Sequence, residues 1–381
     1  MAELKILIGF GESGKTAFAK QSKNIIINFD DYPVYGSKLS WEKSMEVIAN
    51  RCNDSLEEDF VLDGYMSITK DGFREPDFKT LKENLKHHTI QPIIIFREAE
   101  KIVASIKNRS PPCDPDNVDR RFVVNTYKNI EYYFNTSKMK FYYATDNKFI
   151  EELDYKDVIV TISGIKKEDI LKFFDSLKNI KEELKNETHY DSKYQDMEFL
   201  HGIKYTGYAG YATDTWRGIK DLIDWKDKIV ADIGCLNGYY SFKIKDMRAK
   251  QVDGFDLFQQ ACDSCYKIKE LNCYDNMGFF QFDANKDKLE CNYDVILLLN
   301  MLHHLNNPGN ILGEAFKNGE NVIMETQFDN FNIQKGKERM RKNTTDWDKQ
   351  AIEVFASTYG HKLIKEVKSG RPFRTILHFK K

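Results

Sequence analysis

Gly9-Phe10-Gly11-Glu12-Ser13-Gly14-Lys15-Thr16 fits the pattern G-x-x-x-x-G-K-[ST] at every fixed position. The chemistry of such a run is the cradling of phosphates. Glycines let backbone N–H groups close around an anion, the lysine reaches the β- and γ-phosphates, and the hydroxyl after it ligates Mg²⁺. Gly9, Gly11, Glu12, Ser13 and Gly14 would form this cradle for ATP, with Lys15 as the neutralising cation and Thr16 as the metal ligand. Carboxylates follow apolar runs at two places, Phe29-Asp30-Asp31-Tyr32 after Ile25–Asn28 and Asp63 after Phe60–Leu62. At the C-terminal tip of a parallel strand a carboxylate lines the reaction crevice, where Asp30 can accept the proton of an attacking hydroxyl. Asp31 and Asp63 are candidates for holding the acceptor, and Asp63 for holding Mg²⁺ as well. Asp30-Asp31-Tyr32-Pro33 is also compatible with a plain turn.

A second constellation lies past the middle of the chain. Val230-Ala231-Asp232-Ile233-Gly234-Cys235-Leu236-Asn237-Gly238-Tyr239-Tyr240 reads as a strand, a glycine turn and the start of a helix. Asp256 closes the next apolar run, where a carboxylate suits the two hydroxyls of a ribose. Asp283 ends the third run and Asn300 follows the fourth, leading into Met301-Leu302-His303-His304-Leu305. His303 is a candidate general base, with a packing role as the alternative, because adjacent histidines point in different directions. No clean G-x-G-x-x-G accompanies these residues, which argues against a nicotinamide dinucleotide.

Both constellations need strands that deliver their ends to one edge. The first half supplies the runs Leu4–Ile8, Ile25–Asn28, Phe60–Leu62, Ile93–Phe96 and Lys140–Ala144, separated by helix-like segments. The second supplies Ile229–Ile233, Gln251–Phe255, Gly278–Phe282, Tyr293–Leu299, Asn321–Glu325 and Arg374–Phe379. Alternation of this kind predicts α/β domains with parallel sheets covered by helices on both faces. Between the two series, Ile170, Phe173, Phe174, Leu177, Ile180 and Leu184 are spaced for an amphipathic helix. The expected organisation is a first domain over residues 1–165, a helical linker over 166–195 and a second domain over 196–381.

The 381 residues suit two domains, and 41% hydrophobic with 30% charged residues is ordinary for a folded, water-facing chain. No apolar run approaches the ~20 residues of a membrane helix, so no membrane insertion is expected and the expected location is cytoplasmic. A net charge of −2 and a pI of about 6.5 provide no global field for nucleic acid, though a local basic groove remains compatible. Cys262 and Cys265 form a lone C-x-x-C without the second pair that a zinc site needs, so reduced thiols are expected. Arg339, Arg341 and Lys342 lie in a charged insert that is either a solvated helix face or a phosphate-holding patch.

The region from about residue 4 to 145 resembles the phage polynucleotide kinase-like branch of P-loop kinases. The resemblance rests on the phosphate loop, on Asn28-Phe29-Asp30-Asp31-Tyr32, and on Asn108-Arg109 followed by Asp119-Arg120-Arg121. It implies Asp30 as general base and an arginine-bearing lid, with Arg109, Arg120 and Arg121 as candidates for neutralising the transferring phosphoryl group. Pro33-Val34-Tyr35 stands where that family carries an arginine that helps hold the acceptor's phosphate, so the acceptor stays open.

The second domain resembles the Rossmann-like class I S-adenosylmethionine-dependent methyltransferases through the turn at Asp232, with Leu236 in place of the usual middle glycine. Within them, Tyr208 to Thr326 is most similar to the tRNA wobble-uridine carboxymethyltransferases and related polysaccharide methyltransferases. The shared features are Trp216-Arg217, the Asp232 turn with Tyr239-Tyr240, and Glu325-Thr326. The resemblance implies S-adenosylmethionine bound by Asp232, Gly234, Cys235, Gly238, Asp256, Asp283 and Asn300, with Asp283 at the adenine. Trp216 and Arg217 are candidates for the acceptor. Tyr205, Tyr208 and Tyr211 either stack on a base or sugar, or cap the cofactor pocket.

Together these readings lead to a bifunctional enzyme. ATP would phosphorylate a hydroxyl and S-adenosylmethionine would methylate the same or a related acceptor, a glycan or another small molecule. Two alternatives stand beside it: nucleic-acid end phosphorylation with RNA or DNA methylation, and a methyltransferase gated by nucleotide binding.

Overall fold

The computed structural model describes residues 2–10, 15–22, 24–28, 41–55, 58–68, 81, 83–108, 118–128, 139–144, 149–152, 155–183, 195–207, 211–326, 347–370 and 374–381. The chain divides into two compact units, Met1–Lys166 and Lys167–Lys381.

The first unit runs β1 (Ala2–Phe10), α1 (Lys15–Gln21), β2 (Ile25–Asn28), α2 (Trp41–Asn53), β3 (Phe60–Ile68), β4 (His88–Phe96), α3 (Ala99–Lys107), α4 (Arg120–Lys128), β5 (Lys140–Ala144), β6 (Phe149–Glu152) and α5 (Tyr155–Ser163). Its sheet has the order β2-β3-β1-β4-β5-β6. The first five strands are parallel and β6 pairs antiparallel with β5. Leu4, Ile6, Leu7 and Ile8 of β1 are all fully buried, as expected of a central strand covered on both faces. Helix α3 buries Ala99, Ile102, Val103 and Ile106, one stripe at helical spacing. Tyr127 of α4 adds a hydroxyl donating to Ile95 O at 2.9 Å. The connection leaving β1 crosses toward β3 and β2, and the one leaving β4 crosses the other way toward β5. The C-terminal end of β1 therefore lies at a topological switch point, where open α/β sheets form their crevice.

The second unit runs α6 (Lys167–Glu183), β7 (Met197–Glu198), β8 (Lys204–Tyr205), α7 (Tyr211–Ile219), β9 (Ile229–Ile233), α8 (Tyr239–Asp246), β10 (Gln251–Asp256), α9 (Gln259–Leu271), β11 (Met277–Gln281), β12 (Tyr293–Leu299), α10 (Pro308–Asn318), β13 (Gly319–Thr326), α11 (Lys349–Thr358), β14 (Lys362–Lys368) and β15 (Thr375–Lys380). Its main sheet has the order β11-β10-β9-β12-β13-β15-β14. The five strands from β11 to β13 are parallel, and β15 is antiparallel to both of its neighbours. Counted from β9, the parallel strands follow the 3-2-1-4-5 order of a Rossmann-like sheet, so the switch point falls between β9 and β12.

The amphipathic segment expected to be a linker instead belongs to the second unit. Phe174 of α6 packs on Phe199 and Tyr205, with ring centroids 5.0 and 5.5 Å apart, which covers the small β7–β8 hairpin. Burial of its apolar stripe against that hairpin makes the helix part of a fold rather than a tether. Among the described residues no helix is long and apolar enough to cross a membrane.

Candidate functional site

In the second unit the glycine turn between β9 and α8 is fastened to β10 from several directions. Gly234 and Cys235 both donate backbone N–H groups to Phe255 O, at 2.7 and 3.0 Å. Gly234 and Gly238 have φ of 74° and 75°, the left-handed region where a side chain is disfavoured. At Gly238 there is also no room, because a Cβ would lie 2.8 Å from the Phe242 ring and 3.1 Å from Cys265 Sγ. Leu236, which replaces the middle glycine of the resemblance, adopts φ 50°, a conformation that costs about 1–2 kcal/mol in an L-residue. Both of its backbone groups are held. Its N–H donates to Asp256 Oδ2 at 2.8 Å, and its carbonyl accepts from Cys265 Sγ at 3.2 Å. Those bonds offset the strain and explain how the turn tolerates a leucine.

Two buried carboxylates flank this turn. Asp256 accepts the N–H groups of Leu236 and Phe258, and burial raises its carboxyl despite those bonds. Each of its oxygens retains acceptor capacity, so it can serve ribose hydroxyls while holding the loop. Asp232 is only 1% exposed, and its Oδ2 accepts the Ser241 hydroxyl at 2.6 Å. Burial pushes the Asp232 carboxyl from 3.8 to about 6; the Ser241 bonds oppose this and the nearby Asp256 charge adds to it. The Cys235 thiol beneath the turn is neutral. Cys235, fully buried, is held well above its ordinary value by its bond with Cys265 and by burial. Cys262 and Cys265 are both buried along α9, and among the described residues no His, Cys, Asp and Glu group could hold a metal.

Farther along the same edge, Asp283 is half-buried and its Oδ1 accepts from the Asn285 backbone and side chain, each at 3.0 Å. Those bonds hold its carboxyl below the ordinary range. Asn300 sits at the end of β12 with φ 59°, its N–H directed to Glu325 O at 3.2 Å. Its Oδ1 is enclosed and has no hydrogen-bond partner, an acceptor placed at the switch point without a donor. His303 is half-buried in a single turn, Leu302–His304, its ring 4.0 Å from that of His304. Trp216 turns toward the core, its ring 6.4 Å from Trp225, whereas Arg217 is exposed and pairs with Asp214 at 2.9 Å along α7. The turn, Asp256, Asp283 and Asn300 thus share one sheet edge, while Trp216 and Arg217 face opposite ways.

Sequence reasoning noted Glu325 only as part of a resemblance and missed its surroundings. Glu325 is 1% exposed at the end of β13, and its Oε1 accepts from Thr215 Oγ1 at 2.9 Å and from Ser369 Oγ. Arg374 Nη1 lies 3.9 Å from Oε2. Gln195 is a second such residue, buried, with its Oε1 accepting the Tyr239 N–H at 3.4 Å. Signals of this kind are not local. Residues 195, 215, 369 and 374 are remote from the motifs they support.

In the first unit, β1 ends at Phe10 and α1 begins at Lys15. Lys15 is 4% exposed, and its ammonium donates to Gly9 O at 2.8 Å. Thr16 follows at an exposed position. Arg121 is buried and Arg120 half-buried at the start of α4. Gly11, Glu12, Ser13, Gly14, Asp30, Asp31 and Arg109 lie outside the described residues, as does the side chain of Asp63.

Residues 231–318 match the family model described as a methyltransferase domain. The second unit carries a methyltransferase domain. A tRNA U34 carboxymethyltransferase of Campylobacter fetus is 32% identical over 120 residues, covering 30% of this chain and 41% of the relative. One from Helicobacter pylori is 34% identical over 100 residues, covering 24% of this chain and 37% of the relative. The chain thus spans less than half the length of these curated relatives. Among solved structures, magnesium protoporphyrin IX methyltransferase from Synechocystis with bound S-adenosylmethionine is 17% identical, with a TM-score of 0.35. That match covers 45% of this chain and 76% of the other.

Proposed function

We propose that the chain is a bifunctional enzyme in which the second unit transfers a group from S-adenosylmethionine and the first transfers the γ-phosphoryl group of ATP. The observation that carries the donor assignment is the turn at Gly234–Gly238, fastened to Asp256 beside the switch point. The residues present fit the cofactor. Left-handed glycines at 234 and 238 keep the turn tight, Asp256 offers acceptors to a ribose, Asp283 offers one toward an adenine, and Asn300 Oδ1 waits for a donor. The cofactor would supply an electrophilic methyl on a sulfonium sulfur. The protein's part is to hold it, keep the reacting pair aligned and exclude water. His303, half-buried at this edge, supports a general-base role toward the acceptor.

For the first unit, the reading rests on the eight-residue phosphate loop and on Lys15 at the C-terminal end of β1. Lys15 would exchange its bond to Gly9 O for the β- and γ-phosphates, and Thr16 would ligate Mg²⁺. Asp30 would take the acceptor's proton, with Arg109, Arg120 and Arg121 as the lid.

The acceptor class favoured for the second unit is nucleic acid, because the curated relatives named above act on tRNA. A glycan or small molecule shared by both units is the other reading, motivated by the fusion, which raises the local concentration of a phosphorylated intermediate. Incubation of the full chain with labelled ATP and labelled S-adenosylmethionine against tRNA, oligonucleotides, nucleosides and glycans tests both. Methyl label on tRNA supports the first reading, and label of both kinds on a glycan alone overturns it. ATP binding without phosphorylation of any acceptor would leave the first unit as a gate rather than a kinase.

A further inference from the structure

One side chain joins two loops at the edge where the parallel strands of the second unit end. Asn285 lies in the loop between β11 and β12, and its amide serves both directions. Its Nδ2 donates to Asp283 Oδ1 at 3.0 Å, and its own backbone N–H reaches the same oxygen at the same distance. Its Oδ1 accepts the backbone N–H groups of Asn306 and Asn307, at 2.8 and 3.0 Å. Asn307 Nδ2 returns to Asn285 O at 3.3 Å. Residues 306 and 307 follow the turn that carries His303 and His304 and lead into α10. A carboxamide carries donor and acceptor on one plane, so a single group holds the carboxylate and the two amides together.

The two loops face different substrates under the donor-site reading proposed above, on which this inference rests. Asp283 is the carboxylate offered toward the adenine, and the Asn285 bonds are the largest cause of its carboxyl lying below the ordinary range. His303, half-buried in the turn Leu302–His304, is the candidate base toward the acceptor. That turn is fixed at its start by Asn300, whose N–H is directed to Glu325 O at 3.2 Å. Asn285 fixes its far end with two bonds at once. We propose that Asn285 is a positioning residue that ties Asp283 to the turn carrying His303, so that a nucleoside seated on Asp283 also orders the acceptor side.

The rest of the β11–β12 loop is held independently, so loss of this amide leaves it seated. Asn310 Nδ2, in the first turn of α10, donates to Ala284 O and Asp287 O at 3.1 and 3.0 Å. The Leu289 N–H donates to Glu314 Oε2 at 2.9 Å in a buried contact. The side chains of Ala284 and Leu289 share one core with Leu302 and Leu305. What Asn285 adds is the reach to residues 306 and 307, and with it a shared order. A ligand that restrains Asp283 restrains Asn285, and through it the two amides. The coupling is reciprocal, since order in the turn equally favours the ligand.

The test is hydrogen exchange on the full chain, with and without saturating S-adenosylmethionine, read by mass spectrometry over residues 301–307. In wild type the ligand should slow exchange at the Asn306 and Asn307 amides about tenfold. Asn285→Ala should exchange there about tenfold faster without ligand, because two hydrogen bonds are lost. It should also lose the slowing by ligand, while calorimetry shows that it still binds. Asn285→Asp keeps an oxygen for the two amides and should restore the ligand-free protection. Asn310→Ala loosens the same loop without touching residues 306 and 307, so the ligand effect should survive it. Three results overturn the proposal while leaving the donor site standing: wild type that binds without slowing over 301–307, Asn285→Ala with unchanged ligand-free exchange, or Asn310→Ala behaving like Asn285→Ala. A wild-type chain that binds no S-adenosylmethionine overturns the donor site and this proposal together.

Discussion

Asp232→Asn should make the second unit more stable at neutral pH while weakening its hold on the cofactor. The Asp232 carboxyl titrates at about 6 in the folded chain against an ordinary 3.8, chiefly because it is buried. It binds its proton more tightly folded than unfolded, so its contribution favours folding below pH 3.8 and is lost as pH rises through about 6. The gap between the two values corresponds to about 3 kcal/mol against folding at pH 7.5. Asparagine has nearly the same shape, retains a carbonyl oxygen for Ser241 and carries no charge to bury. For a unit of this size the gain should appear as a rise in melting temperature of roughly 5–10 °C at pH 7.5. Thermal unfolding of wild type and variant, without cofactor, at steps from pH 7.5 to 4.5 should show the difference shrinking as Asp232 takes up its proton. His378, which burial lowers to about 4, weakens both proteins alike in acid and cancels from the comparison. A variant less stable at pH 7.5, or a difference independent of pH, would mean that the anion's hold on the first turn of α8 outweighs its burial.

Other substitutions probe separate parts of the account. Gly238→Ala should cost at least 1–2 kcal/mol in urea unfolding and abolish measurable cofactor binding, because its Cβ meets the Phe242 ring at 2.8 Å and its φ is 75°. Glu325→Ala should destabilise by about 3 kcal/mol, since Thr215 and Ser369 lose a shared buried acceptor and Arg374 a nearby opposite charge, and Glu325→Gln by about half as much. Urea midpoints of the two variants at constant m-value check that ranking. Lys15→Ala should remove phosphoryl transfer and ATP binding while leaving S-adenosylmethionine affinity within about twofold, as separate equilibrium titrations would show.

The strand ends were legible because parallel strands buried on both faces read as apolar runs, and Ile229–Ile233 and Tyr293–Leu299 are the elements expected at those positions. The turn at Gly234 and the carboxylate at Asp256 were legible for a related reason: their chemistry fixes residue type and spacing locally. Strand β14 escaped notice because it is a mostly exposed edge whose sequence, Lys362–Lys368, alternates weakly. Asp232 was assigned to the cofactor, and its bond to Ser241 could not be read, since a strand end and the next helix meet only once the turn closes. Glu325 is the stronger example. Its partners come from residues 215, 369 and 374, and no periodicity links positions so far apart.

Equilibrium binding of S-adenosylmethionine to the full chain tests the central claim most directly. Calorimetry should give one site per chain, and Asp256→Ala should remove the heat of binding by loosening Leu236 and withdrawing the ribose acceptor together. No binding by the wild-type chain, or binding that Asp256→Ala leaves unchanged, would contradict it.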